Sequence, residues 1–306
     1  VNVTPSLTVG VLLLICVTVI WGSTFAIIKE TIQTVPVPVL LAMRFSFAGL
    51  LLLWVRPERK TLVPGLILGL LSFAGYATQT VGMLTTSASK AAFITGLSVI
   101  LTPMVGAIWL RHRVPLRAWL AATLALVGLG LMTLNPHEGL AVGDLWVLCT
   151  ALVYAIYIVY LGEIAVHHRP LVLTSLQIVV VALFSWGWAV PDVHMLKNLN
   201  SSAIYALLYL AIFATVLVLW LQTLAQRVVP AYATALIFAL EPVFAAVFAY
   251  FMLGEMLSPQ GWLGGALVVL AMILFTGWQV LKRFVRHDSG LQLAFHRLGC
   301  HLGLEL

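Results

Sequence analysis

Thr234-Ala-Leu-Ile-Phe-Ala-Leu-Glu241-Pro242-Val-Phe-Ala-Ala-Val-Phe248 decides how this chain is to be read. With its neighbours it is an apolar helix long enough to cross a bilayer, yet it carries a carboxylate near its middle, followed at once by proline. A charge in the hydrocarbon layer costs about 2.5–3.5 kcal/mol on insertion scales, so it requires a partner or a wet cavity. Pro242 offers no N–H to the carbonyl of Phe238, and that oxygen needs another donor. Such a helix belongs on the wall of a polar cavity. The remaining helices are expected to enclose it.

Composition agrees with a membrane setting. Of 306 residues, 62% are hydrophobic and 8% charged, against about a quarter charged in soluble domains. A soluble fold of this size would need surface charge that the chain lacks, so a polytopic, all-α integral membrane protein is expected. The net charge of +6 is spread between apolar segments rather than gathered on one face, which excludes a nucleic-acid footprint. Cys16 and Cys149 lie inside apolar spans and Cys300 lies near the C-terminus, so no disulfide framework is expected. The first span lacks a basic n-region and a small-residue cleavage site, and is expected to stay as a helix.

Apolar runs of about 20 residues fall near 8–28, 37–55, 63–83, 91–110, 116–134, 143–161, 171–190, 203–224, 231–252 and 261–281. These ten spans are joined by short connections, as in a compact bundle. With the N-terminus inside, the cytoplasmic side receives Arg56, Arg59, Lys60, Arg111, Arg113, Arg117, Arg169, Arg227, Lys282, Arg283 and Arg286. The outer side receives Lys29, Lys90 and Lys197, while Arg44 falls within the second span. The positive-inside rule then places both termini in the cytoplasm, in a cytoplasmic (inner) membrane.

The chain also resembles itself. Residues 79–133 align without a gap on 222–276, pairing Gln79-Thr80 with Gln222-Thr223, Ala88 with Ala231, Leu110 with Leu253, Trp119 with Trp262, Leu131 with Leu274 and Thr133 with Thr276. Earlier spans pair Cys16 with Cys149, Trp21 with Tyr154 and Arg44 with Gln177. Two units of five spans must sit in the membrane with opposite orientation, an architecture recurrent in secondary transporters. The expected organisation is a first repeat over 8–134, an inverted second repeat over 143–281 and a cytoplasmic tail over 282–306. The last twenty residues hold three histidines and Cys300 and read as tail or vector-derived sequence rather than a metal site.

Several residues are candidates for function. Glu241 is either a proton-titrating group or the partner of a substrate's amino group, against a static pair with Arg44 or a hydrogen bond to a neighbouring helix. Arg44 lies about 10 Å deep, at 1.5 Å per residue, and either binds anions or neutralises an acid. Pro103 and Pro242 are expected to break the fourth and ninth spans as hinges, with Thr95, Ser98, Thr102 and Thr234 around them. Gln79 and Gln222 touch substrate or join helices, while Thr80 and Thr223 are expected to join helices. Trp21, Tyr76, Tyr154, Tyr157 and Trp220 form an inward aromatic set or an interfacial belt; Trp21 and Tyr154 suit a pair of gates, one per side. Gly128, Gly130, Gly264 and Gly265 mark the fifth and tenth spans as scaffold or dimer surface. Nothing matches a phosphate-binding loop, and His167-His168 lacks other ligands at metal spacing. Neither cofactor nor metal is expected.

Trp21-Gly22-Ser23-Thr24-Phe25 resembles the opening W-G-x-x-F of EamA-type carriers of the drug/metabolite transporter superfamily. Thr86-Ser-Ala-Ser-Lys90-Ala-Ala-Phe93, leading to Pro103, resembles their fourth span, and Leu240-Glu241-Pro242 followed by Leu253-Gly254-Glu255 resembles their ninth. The resemblance covers residues 8–281. It implies ten helices in two inverted repeats, alternating access, and a central cavity lined chiefly by spans one, three, four, six, eight and nine. The first repeat departs from the second in having Leu110-Arg111-His112 where the second has Leu253-Gly254-Glu255, so no role of Glu255 carries back to His112.

The expectation is therefore a secondary transporter of small organic metabolites, an exporter with proton coupling through Glu241, acting as a monomer or homodimer. One acid and one base among aromatics and amides suit a zwitterionic or aromatic amino-acid-like solute, bound by Trp21, Thr24, Arg44, Tyr76, Gln79, Thr95, Ser98, Tyr154, Tyr157, Trp220, Gln222 and Glu241. The rivals are a membrane-embedded lipid-modifying enzyme, for which no nucleophile–base pair lies at depth, and a channel or structural membrane protein.

Overall fold

The computed structural model describes residues 5–111, 113–133, 141–253 and 258–287, and all regular structure among them is helical. The first stretch contains α1 (Leu7–Thr31), α2 (Val37–Leu50), α3 (Leu62–Gly82), α4 (Ala88–Gly96), α5 (Ser98–Trp109) and α6 (Leu116–Thr133). The second begins with α7 (Val142–Ile164), α8 (Pro170–Ala189) and α9 (Ser201–Ala211). A π-helical segment, Ile212–Leu217, continues α9 into α10 (Val218–Ala225). Then come α11 (Ala231–Phe238), α12 (Glu241–Leu253) and α13 (Pro259–His287). Among the described residues, seven helical runs are long and apolar enough to cross a membrane, accompanied by the shorter apolar helices Val37–Leu50, Leu116–Leu131 and Pro259–Phe275. The protein is a multi-pass membrane protein. Glu255, His112 and the tail beyond residue 287 lie outside the described residues.

Local chemistry sets the helix starts. Ser6, Ser87 and Asn200 accept hydrogen bonds from the backbone N–H of Val9, Lys90 and Ala203, capping α1, α4 and α9. Pro38 and Pro170 occupy the first turns of α2 and α8, where a missing N–H costs nothing.

The same rule corrects the expected hinges. The helix breaks fall at Leu97, six residues before Pro103, and at Ala239–Leu240, just before Pro242. There the bonds tighten to three-residue spacing, as in Ile100 N to Leu97 O at 3.1 Å and Leu240 N to Ile237 O at 3.0 Å. Pro103 stays inside α5, whereas Pro242 sits in the first turn of α12, beside the break. The starts of α4 and α11, and of α5 and α12, are each 143 residues apart. That is also the offset of residues 79–133 from 222–276.

The broadest helix contacts all join the first stretch to the second. α6 packs on α13, α3 on α7 and α8, α2 on α8, α1 on α10 and α12, and α5 on α7 and α11. Small residues permit two close crossings. A Cβ at Gly128 would stand 2.6 Å from the Gly264 carbonyl oxygen, and one at Gly143 would overlap the Gly82 carbonyl.

Candidate functional site

A cavity with an empty volume of about 680 Å³ lies at the centre of the bundle. Its walls come from α1, α3, α4, α5, α7, α10, α11 and α12, with Arg44 contributed by α2. Trp21, Thr24, Arg44, Tyr76, Gln79, Thr95, Ser98, Tyr154, Tyr157, Gln222 and Glu241 all line it. Trp220 does not: it is 37% exposed on the outside of α10. At 100° per residue, Trp220 and the lining residue Gln222 fall on nearly opposite faces of one helix. Trp21 and Tyr154, expected as gates at opposite membrane faces, share this one cavity. Sequence reasoning missed Ser72, Leu219 and Phe238, which also line it. The internal match held the signal, because Leu219 and Phe238 stand 143 residues after Tyr76 and Thr95.

The lining residues pair across the two stretches. Trp21 with Tyr154 and Thr24 with Tyr157 are separated by 133 residues, the spacing of Cys16 and Cys149. Tyr76 with Leu219, Gln79 with Gln222, Thr95 with Phe238 and Ser98 with Glu241 are separated by 143. Polar contacts just behind the wall pair in the same way. Arg44 Nε donates to Thr215 Oγ1 at 2.7 Å, and Ser72 Oγ donates to Gln177 Oε1 at 3.2 Å. Arg44 matches Gln177, and Ser72 matches Thr215 at the 143-residue offset.

Arg44 is held on several sides. Its Nη2 donates to the Ala214 carbonyl at 2.9 Å, and its guanidinium carbon lies 4.8 Å from the Tyr76 ring centroid and 5.5 Å from that of Phe45. The π segment makes this possible. Its wider turn presents the Ala214 carbonyl sideways, where Trp21 Nε1 also reaches it at 3.3 Å. Thr215 Oγ1 bonds back to the Leu210 carbonyl at 2.8 Å.

Glu241 stands in a different environment. It opens α12 and faces the cavity, near the positive end of that helix. No hydrogen bond or ion pair engages its carboxyl among the described residues, and the static pair with Arg44, weighed as the alternative to a functional role, is not formed. The cavity it faces is rich in aromatic rings: Trp21 and Phe238 meet edge to face at 5.3 Å, and Tyr76 and Tyr154 at 6.1 Å.

Gln79 Nε2 joins Thr95 Oγ1 across α3 and α4 at 3.1 Å. Thr80 and Thr223 bond their own backbone, at the carbonyls of Tyr76 and Leu219, rather than another helix. Gln222 Nε2 donates to Gln226 Oε1 at 3.0 Å, and Gln226 Nε2 to the Ile158 carbonyl at 2.9 Å. These amides form a thin partition. Gln222 and Ile158 line the central cavity, while Gln226 lines a second cavity of about 740 Å³ where α5 and α7 end. The opposite end is more firmly closed. Lys90 Nζ lies 2.7 Å from Asp144 Oδ2, Thr86 Oγ1 donates to Asp144 Oδ1 at 2.8 Å, and Lys29 caps the carbonyls of Met83 and Thr86. His168 shares a 3.0 Å hydrogen bond with Thr61.

The model of the EamA-like transporter family matches residues 8–134 and again 141–277. The chain belongs to that family. As an EamA-like protein it is a membrane transporter of the drug/metabolite type. It is 31% identical over 260 residues to an uncharacterized transporter of Archaeoglobus fulgidus, covering 84% of this chain and 82% of that one. A protein of known crystal structure has a similar fold, with a TM-score of 0.70 at 17% identity, over 90% of this EamA-like chain and 98% of the other.

Proposed function

We propose that this transporter is a ten-span carrier of two inverted five-helix repeats, 8–134 and 143–281, moving small organic solutes by alternating access. The carrying observation is the pairing of lining residues: six pairs at two constant offsets face one cavity, as a site between related halves requires. The seven long and three shorter apolar helices supply the ten spans. Both termini lie in the cytoplasm of an inner-membrane protein, following the arginine-rich loops. The solutes are amino-acid-like or aromatic metabolites, and the physiological direction is export. Glu241 takes and releases a proton as the cavity opens to each side in turn. The cavity's tryptophan, tyrosines and amides support such solutes; a lipid-modifying enzyme would need a nucleophile primed by a base, and no hydroxyl on the wall is hydrogen-bonded to Glu241 among the described residues.

Reconstitution into proteoliposomes tests this reading. A pH gradient should drive uptake of a radiolabelled aromatic amino acid or amine at least severalfold above that of protein-free vesicles. Glu241→Gln should abolish the dependence on the gradient. Flux equal to that of empty vesicles for every solute, or an unchanged gradient response in the variant, would count against it.

A further inference from the structure

We propose that the cavity selects an organic monocation, an amine carried on an aromatic body, with its ammonium on Glu241. The inference rests on the carrier reading and narrows the solute class within it. A zwitterion's carboxylate would gain most from a free cationic side chain, and none is available on the cavity wall among the described residues. Among the described residues, Arg44 is the sole cationic side chain on the cavity wall. One of its two bidentate edges, Nε–Nη2, is already engaged by Thr215 and Ala214. Tyr76 and Phe45 cover the guanidinium, and the residue is 1% exposed. Arg44 is a positioning residue, fastening α2 to the π segment.

The Glu241 carboxylate has no such partner among the described residues, and it faces the cavity. A carboxylate in a low-dielectric site attracts an ammonium strongly, and aromatic walls add attraction for a cation through their π faces. Trp21, Phe238, Tyr76 and Tyr154 line the same cavity, with Trp21 and Phe238 in edge-to-face contact. The paired position in the first stretch is Ser98, which is neutral. The cavity therefore offers one anionic point and an apolar, π-rich body, the complement of an arylalkyl amine.

The test varies the head group on a constant phenyl body, using wild-type transporter in lipid nanodiscs and calorimetry. Phenethylamine should bind at least about tenfold more tightly than phenylalanine, the scale of one charged hydrogen bond, and 3-phenylpropanoate should not bind. Glu241→Gln should lower amine affinity by a similar factor. Because the series is read on wild type, it does not depend on the variant folding. Phenylalanine binding as tightly as the amine, binding of the anion, or no binding of the amine overturns the assignment. Proteoliposome flux separates this from the carrier reading: amine binding without flux removes transport and keeps the cation site, whereas phenylalanine flux without amine binding does the reverse.

Discussion

The guanidinium of Arg44 and the carboxyl of Glu241 enter the same cavity, and their neighbours treat them differently. Arg44 gives two hydrogen bonds to the π segment and lies under two aromatic rings, so its charge is absorbed by the fold. Removing it would take away one of the two side-chain donors to the Ala214 carbonyl and the helix contact it fastens. Arg44→Ala should therefore cost about 2–3 kcal/mol, read as a lowered thermal midpoint in detergent; an unchanged midpoint would mean the contact is not structural. The depth of Arg44 was legible in the sequence, but its partner was not. An apolar run such as Ile212–Leu217 carries no periodic mark of a π turn. Glu241 was legible because a carboxylate within an apolar run must be accounted for. Trp220 misled, since aromatic type alone says nothing about which helix face a residue occupies.

At the level of elements, two helices are broken beside the cavity, and Lys90, Asp144 and Thr86 form a polar latch between α4 and α7. The sequence pointed to Pro103 and Pro242, and the prolines mark only one break of the two. A single three-residue turn at Leu97 leaves no compositional trace. The latch was equally hidden. Lys29 and Lys90 read as surface lysines marking the outer side, whereas Lys90 holds Asp144 and Lys29 caps α3. Asp144→Asn would keep the hydrogen-bonding shape and remove the charge that binds α7 to α4. Such a change should raise the rate at which a membrane-impermeant thiol reagent modifies a cysteine placed at Ser98 from that end, by several-fold or more. No change in the labelling rate would show that the ion pair does not restrain the closed end.

Over the whole molecule, the broad helix contacts run between the first six helices and the rest rather than within either set. Neither half has a core of its own to fold around, so residues 1–140 and 141–306 expressed separately should be degraded or aggregated. Produced together as two chains they should assemble, giving a single complex by size-exclusion chromatography; a stable, monodisperse isolated half would contradict this. The internal match was readable because tryptophan and amide positions recur at a fixed spacing even where the apolar background is uninformative. The lock at one end does not recur. On the two-repeat reading, the positions matching Lys90 and Asp144 are Ala233 and Val11, neither of which carries charge. Two related halves without that difference would idle with equal occupancy on both sides of the bilayer. On the carrier reading, the Lys90–Asp144 pair would favour the state with that rim shut, and a preference of even about 1.4 kcal/mol would make the ratio about ten to one.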